Sequence, residues 1–407
     1  MFKAFKEIHL WLAVPFGIII TLICFSGAML VFEQEITRAS RHDVYYVAEV
    51  AASPLPVGEL MEKVKATLPD SVRITGVTIC KDPERTYQVN LSKPRRASVF
   101  IDQYTGRITG RSERLPFFSF MFRMHRWLCD SANPKGDGPK IGKLTVGVST
   151  LMFVVVLISG VVIWWPRARR NFRKSMSVPV GKGSFRFWDG LHVAGGMYVV
   201  LIVLAMALTG LTWSFPWYRD AFYAVCGVEH TPRDFSEQKP AEGDKERGEG
   251  RGEGRHGRGG HHGHGDGEGR HGDRHGGRRS EFGRWQAVYE ELRARDPEAP
   301  QITVGAENAS VTLSDYGNVR AADKYAFNRR SGEVTLETAY RDAAPADRLR
   351  GWIYSIHTGA LGGLTTRILW FLAALLGASL PLTGYYIWIK RLRRKVVRKV
   401  DNKLVKA

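Results

Sequence analysis

The chain has 407 residues with 59 basic and 40 acidic side chains, so its formal net charge is +19, and 44% of its residues are hydrophobic. The apolar residues are concentrated in four long uncharged runs, which excludes both a purely soluble globular enzyme and a disordered chain. Only four cysteines are present, too few and too scattered for a disulfide scaffold or an iron–sulfur cluster.

The four uncharged runs predict four transmembrane helices. They occupy residues 10–32, 144–166, 190–218 and 368–389. Because about 20 residues at 1.5 Å rise each cross the hydrocarbon core, every run is long enough to span a bilayer. The first run is too long for a cleavable signal peptide and lacks a small-residue cleavage site, so we interpret it as an uncleaved anchor.

Basic residues beside the runs predict the orientation of the chain. Lys3 and Lys6 precede the first run, and basic clusters follow the second and the fourth. These clusters are Arg167, Arg169, Arg170, Arg173 and Lys174, and Lys390, Arg391, Arg393, Arg394 and Lys395. The positive-inside rule places all three segments in the cytoplasm, so we expect a multi-pass protein of a bacterial inner membrane with cytoplasmic termini. We attribute the basic charge to topology and lipid contact and predict no nucleic-acid partner.

This topology divides the chain into eight segments. Spans lie in 1–32, 141–166, 187–218 and 365–390, periplasmic segments in 33–140 and 219–364, and cytoplasmic segments in 167–186 and 391–407. The first periplasmic segment also contains an apolar interfacial stretch before the second span, and the second contains a matching stretch before the fourth.

Each periplasmic segment is predicted to contain a helix, three short strands and a closing turn. In the first, the helix lies at 57–68, the strands near 72–80, 85–92 and 97–101, and the turn at 102–106. In the second, the helix lies at 284–294, the strands near 301–305, 309–314 and 323–328, and the turn at 328–332. The predicted fold is therefore a four-helix transmembrane bundle carrying two small α+β domains.

Matching residues indicate that the chain is a tandem duplication. His9 and Gly27 reappear 183 residues later as His192 and Gly210. Each span also carries a hydroxyl residue followed by glycine, which we call a hydroxyl–glycine pair. The four pairs are Ser26-Gly27, Ser159-Gly160, Thr209-Gly210 and Thr383-Gly384. Both copies run in the same direction through the membrane, which predicts a pseudo-two-fold axis along the membrane normal.

A low-complexity insertion near 238–280 distinguishes the second copy from the first. The glycines of the two closing turns are 226 rather than 183 residues apart, which requires 43 additional residues in the second copy. The block is rich in Gly, Arg and His, so we expect it to be disordered. One interpretation is a divalent-metal site, and the other is a solvated linker. The candidate ligands are His256, His261, His262, His264, His271 and His275.

Four histidines at the span ends are the candidate functional residues. His9 and His192 lie at the cytoplasmic ends of spans 1 and 3, and His125 and His357 lie in the apolar stretches before spans 2 and 4. The duplication relates the members of each set, so a two-fold axis would make each histidine face its own copy. Two neutral imidazoles facing across a bundle form a bis-histidine haem site, and the chain has no C-x-x-C-H attachment motif. We therefore predict two non-covalent b-type haems.

Other roles for these histidines are weaker. A structural histidine bonded to a neighbouring helix is common, but four repeat-related ones are harder to explain that way. A zinc site usually has four ligands, whereas each layer supplies two. A proton relay would need carboxylates within the spans.

Two haems would also need partners for their propionates. Arginine suits bidentate carboxylate binding, and the candidates are Arg123, Arg126, Arg348 and Arg350 outside, and Lys6 and Arg186 inside. Of these, Arg126 and Arg350 are our first choices. For any one of them, ordinary interfacial anchoring is an equal alternative.

Haem at both surfaces predicts an electron path across the bilayer. The cytoplasmic segments are too short to hold a flavin or nucleotide-binding unit, so the electron donor would be a membrane quinol or a separate protein. The acceptor would lie outside, near His125 and His357.

The segment Val99-Phe-Ile-Asp-Gln-Tyr-Thr-Gly106-Arg107, closing a helix and three strands, resembles a PepSY domain. Together with the four hydroxyl–glycine pairs, it makes nearly the whole chain except the insertion similar to the PepSY-associated transmembrane helix family. That family includes iron-regulated inner-membrane proteins and ferrisiderophore reductases. The resemblance implies b-type haem held by His9, His125, His192 and His357, and reduction of ferric siderophores or other ferric chelates on the periplasmic side.

Two other functions remain open at this point: a non-redox PepSY membrane protein that binds or inhibits a periplasmic partner, and a metal-chelate permease. A permease should carry polar residues along its spans, and these spans carry few. The sequence also leaves open whether two of Cys80, Cys129 and Cys226 form a disulfide.

Overall fold

The computed structural model describes residues 2–94, 97–130, 141–229, 282–313 and 317–404. Its α-helices are α1 (Phe2–Leu30), α2 (Glu33–Ser40), α3 (His42–Tyr45), α4 (Val57–Lys65), α5 (Pro116–Trp127), α6 (Ile141–Arg170), α7 (Phe172–Ser175), α8 (Ser184–Gly190), α9 (Gly196–Ser214), α10 (Pro216–Val225), α11 (Trp285–Arg295), α12 (Pro345–Thr358) and α13 (Gly363–Leu404). Its strands are β1 (Ile74–Cys80), β2 (Tyr87–Leu91), β3 (Ser98–Ile101), β4 (Ile108–Arg111), β5 (Gln301–Gly305), β6 (Asn308–Thr312), β7 (Ala322–Phe327) and β8 (Val334–Thr338).

Four helical segments in the described residues are long and apolar enough to cross a membrane, and they overlap all four predicted runs. They are Lys3–Leu30, Ile141–Arg170, Ser184–Ser214 and Ala360–Arg394. The third consists of α8, a π-helical segment at Leu191–Gly195, and α9. Its predicted end at Tyr218 is wrong: the helix ends at Ser214, because Pro216 cannot continue it and instead begins α10.

The four spans form a bundle in which the first and third spans, and the second and fourth, lie on the diagonals. Helix α1 contacts α6 and α13, and α9 contacts the same two helices. The interior is apolar, with Ile20, Phe153 and Leu157 packed against Val203 and Ala373. Residues at the ends of α1 and α9 can therefore meet across the bundle axis.

Two amphipathic helices, α5 and α12, lead from the β-sheet domain into the second and fourth spans. Both begin with a proline, which suits the first turn because it has no amide hydrogen to leave unpaired. Both end in a left-handed residue, Leu128 (φ 49°) and Gly359 (φ 74°). Helix α5 packs against α1 and α6, and α12 packs against α9.

The strands form one eight-stranded antiparallel sheet in the order β4-β3-β2-β1-β5-β6-β7-β8. The predicted helices and first three strands of each segment are present, and a fourth strand, β4 or β8, follows each closing turn. The two predicted α+β units are joined into one sheet, because β1 and β5 pair with each other.

A single hydrophobic core lies on one face of this sheet, beneath α4 and α11. Leu60 and Val77 of the first unit and Leu292 and Ile302 of the second are all fully buried in it. On the opposite face, Thr78 and Thr303 face each other across the β1–β5 pair, with their hydroxyl oxygens 3.0 Å apart. The two units therefore share both a backbone ladder and a core.

Candidate cofactor site

His9 and His192, which we call the lower pair, meet across the bundle. His9 lies near the start of α1 and His192 lies in the π-helical segment before α9. Their ring centroids are 6.4 Å apart and the ring planes are at 89°. The diagonal packing of α1 and α9 therefore brings together the two histidines that the sequence pairs.

His125 and His357, which we call the upper pair, meet on the side of the bundle nearer the sheet. They lie near the ends of α5 and α12, with ring centroids 6.0 Å apart and planes at 53°. The indole ring of Trp213 packs edge-on against His357 at 5.1 Å between centroids. The predicted second combination of histidines is thus also present.

Each of the four imidazoles is held in the same way by the backbone of a neighbouring span. In each case Nδ1 lies within hydrogen-bond distance of the carbonyl oxygen three residues before the hydroxyl residue of a hydroxyl–glycine pair. The distances are 3.0 Å from His9 to Val156, 3.1 Å from His192 to Leu380, 2.9 Å from His125 to Ile23 and 2.9 Å from His357 to Met206. The hydroxyls of Ser159, Thr383 and Thr209 lie 3.0, 3.0 and 3.2 Å from the same nitrogens of His9, His192 and His357.

The glycines of these pairs let each ring approach the helix backbone. An ideal Cβ on Gly27 would stand 2.9 Å from Cε1 of His125, and one on Gly210 would stand 3.1 Å from Cε1 of His357. The corresponding distances in the lower pair are 3.5 Å for Gly160 and 3.4 Å for Gly384. A methyl group would therefore press on the imidazole in the upper pair, whereas in the lower pair it would make an ordinary van der Waals contact.

This arrangement fixes which ring nitrogen can bind a cofactor. A carbonyl oxygen only accepts hydrogen bonds, so Nδ1 carries the proton and Nε2 of the neutral ring keeps its lone pair. Among the described residues, no hydrogen bond involves Nε2 of any of the four histidines. Metal-ligating histidines commonly donate their other nitrogen to a carbonyl in this way.

The spacing of the rings fits one metal ion between the members of each pair. A metal–imidazole bond is about 2 Å long, and the ring centre lies about 1 Å beyond the nitrogen, so two axial imidazoles have centroids roughly 6 Å apart. The observed 6.4 and 6.0 Å agree with this value. The donor set, two neutral imidazoles and no thiolate, suits haem iron better than structural zinc.

The surroundings of the upper pair favour the neutral form that metal binding needs. Burial lowers the pKa of His125, and the positive charge of Arg126 lowers it further. Burial lowers the pKa of His357 to about 4, with the neighbouring His125 as the second cause. Both rings are therefore available as neutral ligands at physiological pH.

The predicted propionate partners have different positions. Lys6, Arg123, Arg126 and Arg186 are exposed, and the Arg126 guanidinium stacks on Phe122 and Trp127. Arg348 donates a hydrogen bond to the carbonyl of Arg341. Arg350 pairs with Asp347 and lines a cavity that also contains Trp213. Arg350 therefore lies near the upper pair, because Trp213 lines the same cavity and its indole ring also contacts His357.

The insertion histidines His256, His261, His262, His264, His271 and His275 lie outside the described residues, so their predicted metal site stays a prediction. Within the part of the chain that the structure describes, no group of three or more His, Cys, Asp or Glu side chains is placed to hold a metal ion. All four cysteines are free thiols in the structure.

Two ion-pair sites at the ends of the bundle are not apparent from the sequence. At the lower end, Asp189 lies 3.0 Å from Arg391 and 4.0 Å from Arg167, which brings together the ends of the second and fourth spans. At the upper end, Arg367 binds the Glu35 carboxylate through both nitrogens. The sequence likewise does not explain why a hydroxyl–glycine pair recurs in every span. Its presence once in each span is nevertheless a pattern that could have pointed to the histidine contacts.

Comparison with known families identifies the chain. The model of the PepSY-associated TM region matches residues 6–391, which includes both histidine pairs, the sheet domain and all but the outermost residues of the first and fourth spans. No curated protein matches the chain significantly. Because the match covers most of its length, the chain belongs to the PepSY-associated transmembrane family.

Proposed function

We propose that this protein is a di-haem b reductase of the bacterial inner membrane. It would carry electrons from the cytoplasmic side or the quinol pool to ferric siderophores or other ferric chelates in the periplasm, and release ferrous iron. The observation that carries the proposal is the geometry of the two histidine pairs. The ring centroids are 6.4 Å apart in the lower pair and 6.0 Å apart in the upper pair, and Nδ1 of every ring is bound to a backbone carbonyl of a span.

His9 and His192 would hold one haem, and His125 and His357 the other. When bound, each haem supplies a one-electron carrier whose potential responds to its axial ligands and surroundings. The hydroxyl–glycine pairs orient the rings, and the apolar bundle interior keeps water away from the space between the layers.

The separation of the two layers supports electron transfer across the membrane. His9 and Ile23, whose carbonyl holds His125, are both on α1 and 14 residues apart. At 1.5 Å per residue this places the layers about 21 Å apart along the helix, within a hydrocarbon core of about 30 Å. Neither layer is then far from a membrane surface.

The proposed reaction adds one electron to a ferric chelate and gives a ferrous one. The hard oxygen donors of such chelates hold the lower-charged ion much more weakly, so the iron can leave. The electron comes from a quinol or a separate reduced protein, which is oxidised in turn. No part of this step needs a bond to the substrate from a protein side chain.

The proposed orientation rests on charge. Arg167 and Arg391 lie at one end of the bundle through their shared partner Asp189, and the basic clusters continue from there. The positive-inside rule makes this end cytoplasmic and puts the sheet domain in the periplasm. A reporter that is active only in the cytoplasm should work when fused to the C-terminus, and a periplasm-specific one should not.

We also infer that the chain arose by tandem duplication. Support comes from the diagonal placement of α1 opposite α9 and from the shared element order of the two sheet units. The pairing of β1 with β5 at the sheet centre is what a two-fold relation between the units would produce.

The first experiment tests haem binding. Purified wild type should show a reducible Soret band and two haems per chain, and His9→Ala and His125→Ala should each lose one. His42→Ala is the matched control, because His42 is exposed and stacks on Tyr46 away from both pairs. Retention of two haems in both pair variants would exclude the assigned ligands.

The second experiment tests the reaction. Proteoliposomes containing an enclosed reductant and wild-type protein should reduce an external ferric chelate, detected with a ferrous-specific dye. Liposomes with His9→Ala protein should not. Uptake of intact ferric chelate without reduction would instead indicate a permease.

A further inference from the structure

The segment 317–321 leads into β7 and contacts the helix that carries His357, so we call it the α12 loop. The backbone amide of Val319 donates a hydrogen bond to the Ser355 hydroxyl on α12 at 3.1 Å. Ser355 is fully buried, and Asn318 beside it is 2% exposed. The sheet domain therefore meets α12 through buried polar groups.

The side chain of Asn318 joins the α12 loop to two other parts of the chain. Its Nδ2 donates to the Tyr340 hydroxyl, after β8, at 2.7 Å and to the Arg348 carbonyl, on α12, at 3.4 Å. Its Oδ1 accepts a hydrogen bond from the backbone amide of Arg320 at 3.0 Å. A buried amide with these partners has one favourable orientation, because turning it leaves buried polar atoms unpaired. Asn318 thus fixes the α12 loop against α12.

A glycine on α12 makes this close contact possible. An ideal Cβ on Gly351 would overlap Nδ2 of Asn318 and stand 2.8 Å from its Cγ, so a side chain here would force the loop and the helix apart. Gly351 and Ser355 lie about one turn apart on the same face of α12, and His357, two residues further on, is rotated by roughly 200° to the opposite face. The α12 loop therefore packs behind the helix, on the side away from the imidazole.

The matching helix of the upper pair, α5, has a different surface. On α12, the loop contacts the residues six and two positions before the histidine. The residues six and two positions before His125 are Ser119 and Arg123. Ser119 has the Cβ that the glycine of α12 lacks, and Arg123 is exposed. The surface that receives the α12 loop is therefore not reproduced on α5.

We propose that Asn318 is a positioning residue for His357. By holding α12 from behind, it keeps the His357 ring at 6.0 Å and 53° from the ring of His125. The sheet domain in this way helps to define the upper haem site through α12, as groups behind a metal ligand commonly do. The inference deepens the proposed function and rests on it for the identity of the group bound between the rings.

The test compares Asn318→Ala with Asn328→Ala in the full-length protein. Asn328 is the matched control, because its Oδ1 also accepts a backbone amide, from Arg330 at 2.8 Å, but it is exposed in the turn between β7 and β8. Each substitution is added to His9→Ala and to His125→Ala, which under the proposed function retain only the upper or only the lower haem.

Two measurements report on the retained haem: its rate of transfer to excess apomyoglobin and its midpoint potential. With the upper haem alone, Asn318→Ala should speed transfer about tenfold or more. It should also raise the potential, because a weaker imidazole bond stabilises the ferric ion less. With the lower haem alone, Asn318→Ala should change neither quantity, and Asn328→Ala should change neither quantity for either haem.

Gly351→Ala tests the same contact from the helix side. Its methyl group should also speed transfer of the upper haem, but it should add little to Asn318→Ala, since the amide that it would overlap is then absent. Ser355→Ala removes the hydroxyl that accepts the Val319 amide and is a milder variant if Asn318→Ala folds poorly. It too should speed transfer of the upper haem.

Hydrogen exchange in haem-free protein separates this inference from the proposed function. Asn318→Ala should speed amide exchange in α12, and Asn328→Ala should not. If the wild type binds no haem, or ferric chelates do not reoxidise it, the proposed function fails, and exchange still decides whether Asn318 holds α12. Unchanged transfer of the upper haem, equal acceleration for both haems, or unchanged exchange in α12 would overturn the inference.

Discussion

Replacing Gly27 by alanine should disturb the upper pair specifically. The new methyl carbon would stand 2.9 Å from Cε1 and 3.1 Å from Nδ1 of His125. Non-bonded carbon atoms are most stable at about 3.5–4.0 Å, so the ring and helix must separate by roughly half an ångström or more. The ring cannot move away freely, because its Nδ1 is bound to the Ile23 carbonyl at 2.9 Å.

The same substitution in the lower pair provides a matched control. In Gly160→Ala the methyl carbon would stand 3.5 Å from Cε1 of His9, which is an ordinary contact. Overpacking of the upper site should cost about 1–3 kcal/mol of stability, whereas the lower site should tolerate the methyl group with little change. Both variants replace a glycine of a hydroxyl–glycine pair by alanine, and they differ only in the space between the new methyl group and the imidazole ring.

Thermal unfolding in detergent and haem counting would measure the difference. We expect Gly27→Ala to unfold at a lower temperature and to lose or weaken one haem, the upper one. We expect Gly160→Ala to resemble wild type in both measurements. A Gly160→Ala variant as impaired as Gly27→Ala, or a Gly27→Ala variant with two unaltered haems, would refute the role assigned to these glycines.

Three further predictions concern stability. Glu35→Gln should destabilise the protein by about 0.2–1 kcal/mol at pH 7, because a partly exposed ion pair with Arg367 is lost. The hydrogen bond from Arg367 lowers the pKa of Glu35, so this contribution is complete above the usual carboxyl pKa of about 4.3 and disappears as pH falls through the lower, folded-state value. Unfolding temperatures of wild type and variant should therefore converge in acid, and a constant difference would contradict the ion pair. Thr78→Val should cost about 1–3 kcal/mol, because the Thr303 hydroxyl and the Asn90 amide both lose a hydrogen-bond partner, and a double-mutant cycle with Thr303→Val should show coupling; additive effects would argue against the contact. Leu292→Ala should cost about 2–5 kcal/mol, measured by thermal unfolding, because it leaves a cavity in the core that both units share; a change below 1 kcal/mol would show that the site is not well packed.

The features that depend on local composition could be predicted from the amino-acid sequence. Four apolar runs of sufficient length specify four membrane-spanning helices wherever they pack, and Pro216 sets the end of the third helix. Positions of most strands also followed from short-range pattern. Strands β4 and β8 were missed because each is short and largely polar on its exposed side.

The histidine pairs were predicted in part. Repeat spacing related His9 to His192 and His125 to His357, and a two-fold axis made each combination plausible. The ring separations and the relative rotation of the rings depend on how α1, α9, α5 and α12 pack. They also depend on the π-helical turn at His192, which no local sequence pattern predicts.

The contacts of the hydroxyl–glycine pairs and the joining of the two outer units depend on the packing of distant parts of the chain. The carbonyl that holds His9 lies 147 residues away in the chain, and the strands β1 and β5 that join the sheet are separated by more than 200. Such contacts depend on the relative placement of distant segments, which is set by the packing of whole helices and sheets. Hydrophobic periodicity predicts which face of a helix or strand is buried. Several other helices or strands could cover that face equally well, so the sequence pattern does not predict which one packs against it.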